Sequence, residues 1–126
     1  MKTSSIWFAA VTIVVILASQ AQALSLATPF VIVNGTDFPT CVATNVGTND
    51  ATVTVELKNG AGVVQAPTAA SCGTTPLTLG PGVFCFNRYP AGTDGHCVVS
   101  GSGKIRAALE VYDSGFLTKV VVPATK

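Results

Sequence analysis

The chain has 126 residues and a formal charge of +1, from seven Lys and Arg against six Asp and Glu. Only 10% of its residues are charged and 48% are hydrophobic, so no basic run exists to grip nucleic acid or an anionic membrane. One histidine and four cysteines supply little for proton transfer and point instead to cross-links.

The chain opens with MKTSSIWFAAVTIVVILASQAQA. A lysine precedes the uncharged, largely apolar run Ile6–Ala18, and Ala21-Gln22-Ala23 is a small-x-small site of the kind signal peptidase cuts after. Residues 1–23 are therefore expected to be a signal peptide, with residues 24–126 as a single exported domain. A retained membrane anchor is the alternative, but the thirteen-residue run falls short of the roughly 20 apolar residues that span a bilayer. No cysteine stands at the cut to carry a lipid. Cleavage removes Lys2 and the only tryptophan, Trp7, leaving six cations against six acids in 103 residues. A domain of that size is only marginally stable without help.

Cys41, Cys72, Cys85 and Cys97 all lie beyond the cut. An even count in a small exported chain reads as two disulfides, with three possible pairings. The rival is a zinc site, which normally draws ligands in close pairs such as C-x2-C. Here 30, 12 and 11 residues separate successive cysteines.

Turn residues punctuate the rest every eight to twelve positions, between runs rich in Val, Thr, Ile and Phe. This is the pattern of an all-β sandwich or barrel. PFVIVN (29–34) reads as a first strand and TCVATNV (40–46) as a second. GTND (47–50) turns the chain, and ATVTVELK (51–58) returns, so that residues 41–60 read as a hairpin. Val53, Val55 and Leu57 alternate with Thr52, Thr54, Glu56 and Lys58, giving one buried and one wet face. A short strand or edge at VVQAP follows the turn NGAG. Residues 71–88 hold two short β segments joined at Gly80-Pro81-Gly82. A loop at 89–95 leads to HCVVSG (96–101) and then to the longest strand, KIRAALEVYD (104–113), with Ile105, Ala107, Leu109 and Val111 on one face. FLTKVVVP (116–123) closes a set of seven to nine short strands.

The succession TNVGT, ATVTVEL, NGAGVV, LTLGPG and a final β pair resembles bacterial immunoglobulin-like domains of the cell-adhesion-related (CARDB-like) type. Cys97, Val99 and Gly103, followed by Lys104, Arg106 and Ala107, are similar to the ending of small secreted bacterial proteins of unknown role. The resemblance spans residues 28–122. It implies an immunoglobulin-like antiparallel β-sandwich and carries no catalytic residues. On that fold it also implies that Cys41 meets Cys97 across the sandwich, while Cys72 and Cys85 clip the arms around Leu77–Gly82.

Familiar catalytic patterns fail on inspection. His96 is the one candidate proton shuttle, but its neighbour Cys97 points to the opposite face of a strand; it reads as a strand-edge histidine packed on its neighbours. GSGK (101–104) lacks the Gly and the Ser or Thr of a phosphate loop and reads as a β turn. Glu56 and Glu110 sit on polar strand faces rather than converging as glycosidase carboxylates must. Asp50 and Asp94 lack the dense oxygen ligands of a calcium loop. NGT (34–36) fits a glycosylation acceptor but reads as a turn. Arg88 and Tyr89, beside the 90–95 loop, are the candidate exposed contact, because loops at sandwich ends carry binding.

The function expected is a secreted module, extracellular or periplasmic, with a structural, adhesive or binding role, no catalysis and no cofactor. Its partner is expected to be a protein or glycan, not nucleic acid or membrane, and the chain a monomer. The alternative is a small secreted inhibitor or carbohydrate-binding module, which the lack of tryptophan past the cut disfavours. Further alternatives are an enzyme and a pilus subunit completed by a donated strand.

Overall fold

Strict alternation of buried and half-exposed residues over Ala51–Lys58 and Ile105–Tyr112 builds two eight-residue strands, each covered on one side. In the computed structural model, which describes residues 23–126, these are two of nine strands. The expected signal segment lies outside the described residues apart from Ala23. In chain order the strands are β1 (Ala23–Ala27), β2 (Phe38–Asn45), β3 (Ala51–Lys58), β4 (Ala69–Ala70) and β5 (Leu77–Leu79). They continue as β6 (Phe84–Arg88), β7 (His96–Ser102), β8 (Ile105–Tyr112) and β9 (Thr118–Pro123). No helix among the described residues is long and apolar enough to cross a membrane.

The strands form two antiparallel sheets packed face to face, ordered β1-β7-β3-β5 and β4-β6-β2-β8-β9. This is an antiparallel β-sandwich. β2 and β7 occupy the places of the B and F strands of an immunoglobulin domain. The outermost places are exchanged: N-terminal β1 flanks β7 where a last strand would lie, and β8 flanks β2 where a first would lie. Every connection except β8–β9 carries the chain from one sheet to the other. Beyond β9, Thr125 and Ala27 exchange backbone hydrogen bonds at 2.9 and 3.0 Å, closing one seam between the sheets.

Two sequence expectations change. Residues 41–60 are not a hairpin, because β2 and β3 belong to opposite sheets and the polar turn arches across the sandwich. The two segments expected around Gly80-Pro81-Gly82 form as β5 and β6, one in each sheet. The first strand is Ala23–Ala27 rather than 29–34, where only Val31 bridges to Gly95.

The core lies between the sheets, with Cys41, Val53, Leu57, Cys97, Val99 and Leu109 fully buried. Cys41 of β2 is bonded to Cys97 of β7, tying one sheet to the other, and Cys72 is bonded to Cys85 of β6. Two buried asparagines add polar ties. Asn45 Nδ2 donates to the carbonyls of Asn49 and Leu79 at 2.8 and 2.9 Å, while its Oδ1 accepts the Gly47 N–H at 2.9 Å. Asn87 of β6 donates across the core to the Val55 carbonyl at 3.2 Å and also to Gly73 at 2.9 Å. Close approach of β7 to β3 demands glycine at 101, where φ is +146° and a Cβ would stand 1.8 Å from the Thr52 carbonyl oxygen.

Candidate binding face

The parity of β6 decides what the five-stranded sheet shows to solvent. Cys85 must point inward to meet Cys72, and Asn87 must point inward to reach Val55. Because side chains alternate across a strand, Phe84, Phe86 and Arg88 are forced outward. The register then lays out three rows across β6, β2, β8 and β9. They are Phe84–Thr44–Arg106, Phe86–Val42–Ala108–Pro123 and Arg88–Thr40–Glu110–Val121. Phe84 is 63% exposed.

One end of this face is an aromatic and arginine cluster. Phe116, in the β8–β9 turn, stacks on Phe38 with ring centres 6.1 Å apart and planes within 9°. The Arg88 guanidinium carbon sits 5.0 Å from the centre of the Phe116 ring and 5.8 Å from that of Phe86, in cation–π range of both. Asp113 holds this turn, its carboxylate accepting the Gly115 and Leu117 N–H groups at 2.9 and 3.0 Å. Phe116 adopts φ +60°, a left-handed conformation that is strained for a bulky residue. Beneath the cluster, Thr40 Oγ1 and Arg88 Nε are buried without a protein partner. The Tyr112 hydroxyl donates to Glu110, and that bond, ahead of burial, raises the phenol above its ordinary pKa of 10.0. Nearby, Lys119 reaches buried Asp37 at 3.1 Å.

The other end is a shallow depression of about 250 Å³ over β2, β8 and β9, bordered by Val42, Thr44, Arg106, Ala108, Glu110 and Pro123. A second cavity, beside Asn87 and Tyr89, is about 40 Å³, room for a water rather than a ligand.

The opposite outer surface has different chemistry. Across β1, β7, β3 and β5 the rows read Ser25–Ser100–Thr54, Ala23–Ser102–Thr52–Thr78 and Ala27–Val98–Glu56.

The structure scatters the candidates read from the sequence. Arg88 is half-buried in the aromatic cluster, but Tyr89 is not an exposed contact. It is only 1% exposed, turned inward by the same parity that turns Phe84 outward. Burial pushes its phenol up, only partly offset by hydrogen bonds with Asn87 and the Leu57 backbone. His96 is half-buried at the first position of β7, opposite Lys58 and 6.4 Å from the Phe30 ring. Glu56 and Glu110 occupy the two opposite outer faces of the sandwich, so they cannot flank one substrate. Asp94 accepts the Val33 N–H at 2.6 Å as a turn anchor. GSGK is the end of β7 and a bend into β8, in the other sheet. Among the described residues, no three His, Cys, Asp or Glu converge on a possible metal site.

Sequence reasoning missed Phe84, Phe86, Phe116 and Arg106. The first two had a usable signal in FCFNR: once Cys85 is committed to the interior, both phenylalanines must face out. No protein-family model, curated protein or solved structure matches the chain.

Proposed function

We propose that the protein is an exported, disulfide-stapled sandwich with a non-catalytic adhesive or binding role, exercised through the outer face of its five-stranded sheet. The observation that carries this reading is the asymmetry of the two outer surfaces. One is mostly serine and threonine, with Ala27, Val98 and Glu56 in a third row; the other gathers Phe84, Phe86, Val42, Val121 and Pro123 around Arg88 and Arg106. Aromatic residues and arginine dominate the energetics of binding surfaces. Two disulfides suit life outside the reducing cytosol, as does the leader expected from residues 1–23. The oxidised protein and its Phe84→Ser variant, tested against cell-surface protein, polysaccharide and cell-wall arrays, are expected to differ: the wild type binds and the variant loses the signal. Reproducible turnover of any substrate, or binding indifferent to Phe84, would defeat the reading.

A further inference from the structure

The chain contains two Asn-Gly steps, Asn34-Gly35 and Asn59-Gly60, each at a turn. Their surroundings differ, and we infer that Asn34 is a site of spontaneous deamidation while the fold protects Asn59. The chemistry needs only the chain and water. The Gly35 backbone nitrogen gives up its proton and attacks Cγ of Asn34. The bond from Cγ to Nδ2 breaks, ammonia leaves, and a cyclic succinimide closes. Water then opens either carbonyl of that ring, giving aspartate or isoaspartate at position 34. Glycine favours the attack because it has no Cβ to crowd the nitrogen or to restrict the backbone.

The fold leaves position 34 open to this reaction. Asn34, Gly35 and Thr36 are all exposed, and a Cβ at Gly35 would meet nothing within 4 Å. Among the described residues, neither the Asn34 carboxamide nor the Gly35 N–H is hydrogen-bonded. The turn is closed by the Asp37 N–H, which donates to the Asn34 carbonyl at 2.9 Å. That bond leaves the side chain and the next nitrogen free to meet.

Asn59 is held from both its side chain and its backbone. Its Oδ1 accepts the Ala61 and Val63 N–H groups at 3.0 and 2.9 Å, in the manner of an Asx turn. Its N–H donates to the Val63 carbonyl at 3.0 Å, and its carbonyl accepts the Gly62 N–H at 2.9 Å. Swinging Cγ onto the Gly60 nitrogen disrupts this set, so the folded loop resists ring closure. The other asparagines precede Val46, Asp50 and Arg88, whose side chains hinder the attack. Reaction at position 34 also reaches into the packing. Asp37, at the end of the same turn, holds Lys119, and its carbonyl accepts the Gly92 N–H at 2.9 Å. Isoaspartate threads an extra methylene into the main chain just ahead of these ties, and both products add a negative charge.

The test ages the oxidised protein in mildly alkaline buffer, folded or in urea, before reduction and digestion with trypsin. Cleavage after Lys58 and Arg88 places the two Asn-Gly steps in separate peptides. Mass spectrometry reads the exchange of an amide for an acid, and isoaspartyl methyltransferase identifies isoaspartate. In the folded protein Asn34 is expected to convert roughly tenfold faster than Asn59, about the factor one net hydrogen bond supplies. In urea the two rates should converge. Gly35→Ala, for which the structure has room, should slow position 34 several-fold. Equal conversion of Asn34 and Asn59 in the folded protein overturns the inference, as does Gly35→Ala reacting at the wild-type rate. A preference for Asn34 that persists undiminished in urea overturns it too, because the selectivity would then owe nothing to the fold.

Discussion

The two outer surfaces of the sandwich share one interior and one backbone geometry, yet they differ in what they present. On the four-stranded side, β1, β7 and β3 turn their large apolar residues inward, Val98 excepted, and mostly serine, threonine and Glu56 outward, close to the division an antiparallel sheet with one wet face calls for. On the five-stranded side β6 inverts that division, with Cys85 and Asn87 inside and Phe84 and Phe86 outside. The inversion has a local cause. A disulfide and an asparagine bonded across the core occupy the inward positions, so the aromatic residues of that strand have nowhere else to go. Solvent-facing phenylalanine at 84 is therefore a consequence of how the interior is cross-linked, and the outer face of the five-stranded sheet depends on the staple.

Substitutions that break the shared interior act on both surfaces and have the largest effect. In the loop-entropy description, the bridge between Cys41 and Cys97, 56 residues apart, contributes about 4 kcal/mol. The Cys72–Cys85 bridge, 13 residues apart, contributes about 3 kcal/mol. Replacing Cys41 and Cys97 together by serine should lower the melting temperature by roughly 15–30 °C, measured by calorimetry. The shorter bridge should cost less. If the Cys72–Cys85 pair instead proves the more costly, the loop-length account fails. Asn45→Ala comes next, at about 2 kcal/mol. It leaves the Leu79 carbonyl and the Gly47 N–H without their partner, unlocking the turn that carries the chain from one sheet to the other. Chemical denaturation measures this loss, and a change below about 0.5 kcal/mol would show that water replaces the side chain at no cost.

Sequence pattern reveals which side of a strand is buried more readily than which strand lies beside it. The alternation of Val53, Val55 and Leu57, and of Ile105, Leu109 and Val111, was legible because a period of two is imposed by the pleat itself. The partition into sheets was not. A polar turn such as GTND serves equally for a hairpin or for an arch over the core, and the choice rests on long-range pairing such as Val55 with Val99. β1 was hidden for another reason: its five residues, ALSLA, overlap the expected cleavage site and carry only two large apolar side chains. The candidate face was least legible. Its residues come from four strands, and Phe116 joins it through a left-handed turn that no local pattern announces. Tyr89 shows the same gap in reverse, since a residue beside a loop reads as exposed until the parity of its strand is known.

Mirror-image substitutions sharpen the contrast between the outer faces at little cost to folding. Phe84→Ser and Thr54→Ser are each expected to change stability by less than about 0.5 kcal/mol, the usual range for surface positions. Only the first should alter binding. Equal behaviour of the two variants on the surface arrays would mean that the faces do not differ in function, whatever their chemistry.

The smallest effect is a shift in one phenol. The chain has two tyrosines, one on each side of the five-stranded sheet: Tyr89 turned into the core and Tyr112 on the outer face. Both are raised above 10.0, but for different leading reasons: burial for Tyr89, the hydrogen bond to Glu110 for Tyr112. A phenol raised in the folded chain keeps its proton where the unfolded chain begins to lose it. Its contribution is therefore complete below pH 10 and fades as pH climbs from there through the folded value. Tyrosinate absorbance, followed while circular dichroism reports the fold, separates the two. Glu110→Gln removes the carboxylate acceptor and should bring Tyr112 down toward its ordinary value while Tyr89 stays where burial puts it. If the substitution moves neither phenol, Glu110 does not hold the Tyr112 proton, and the rim of the depression beside it is free to rearrange.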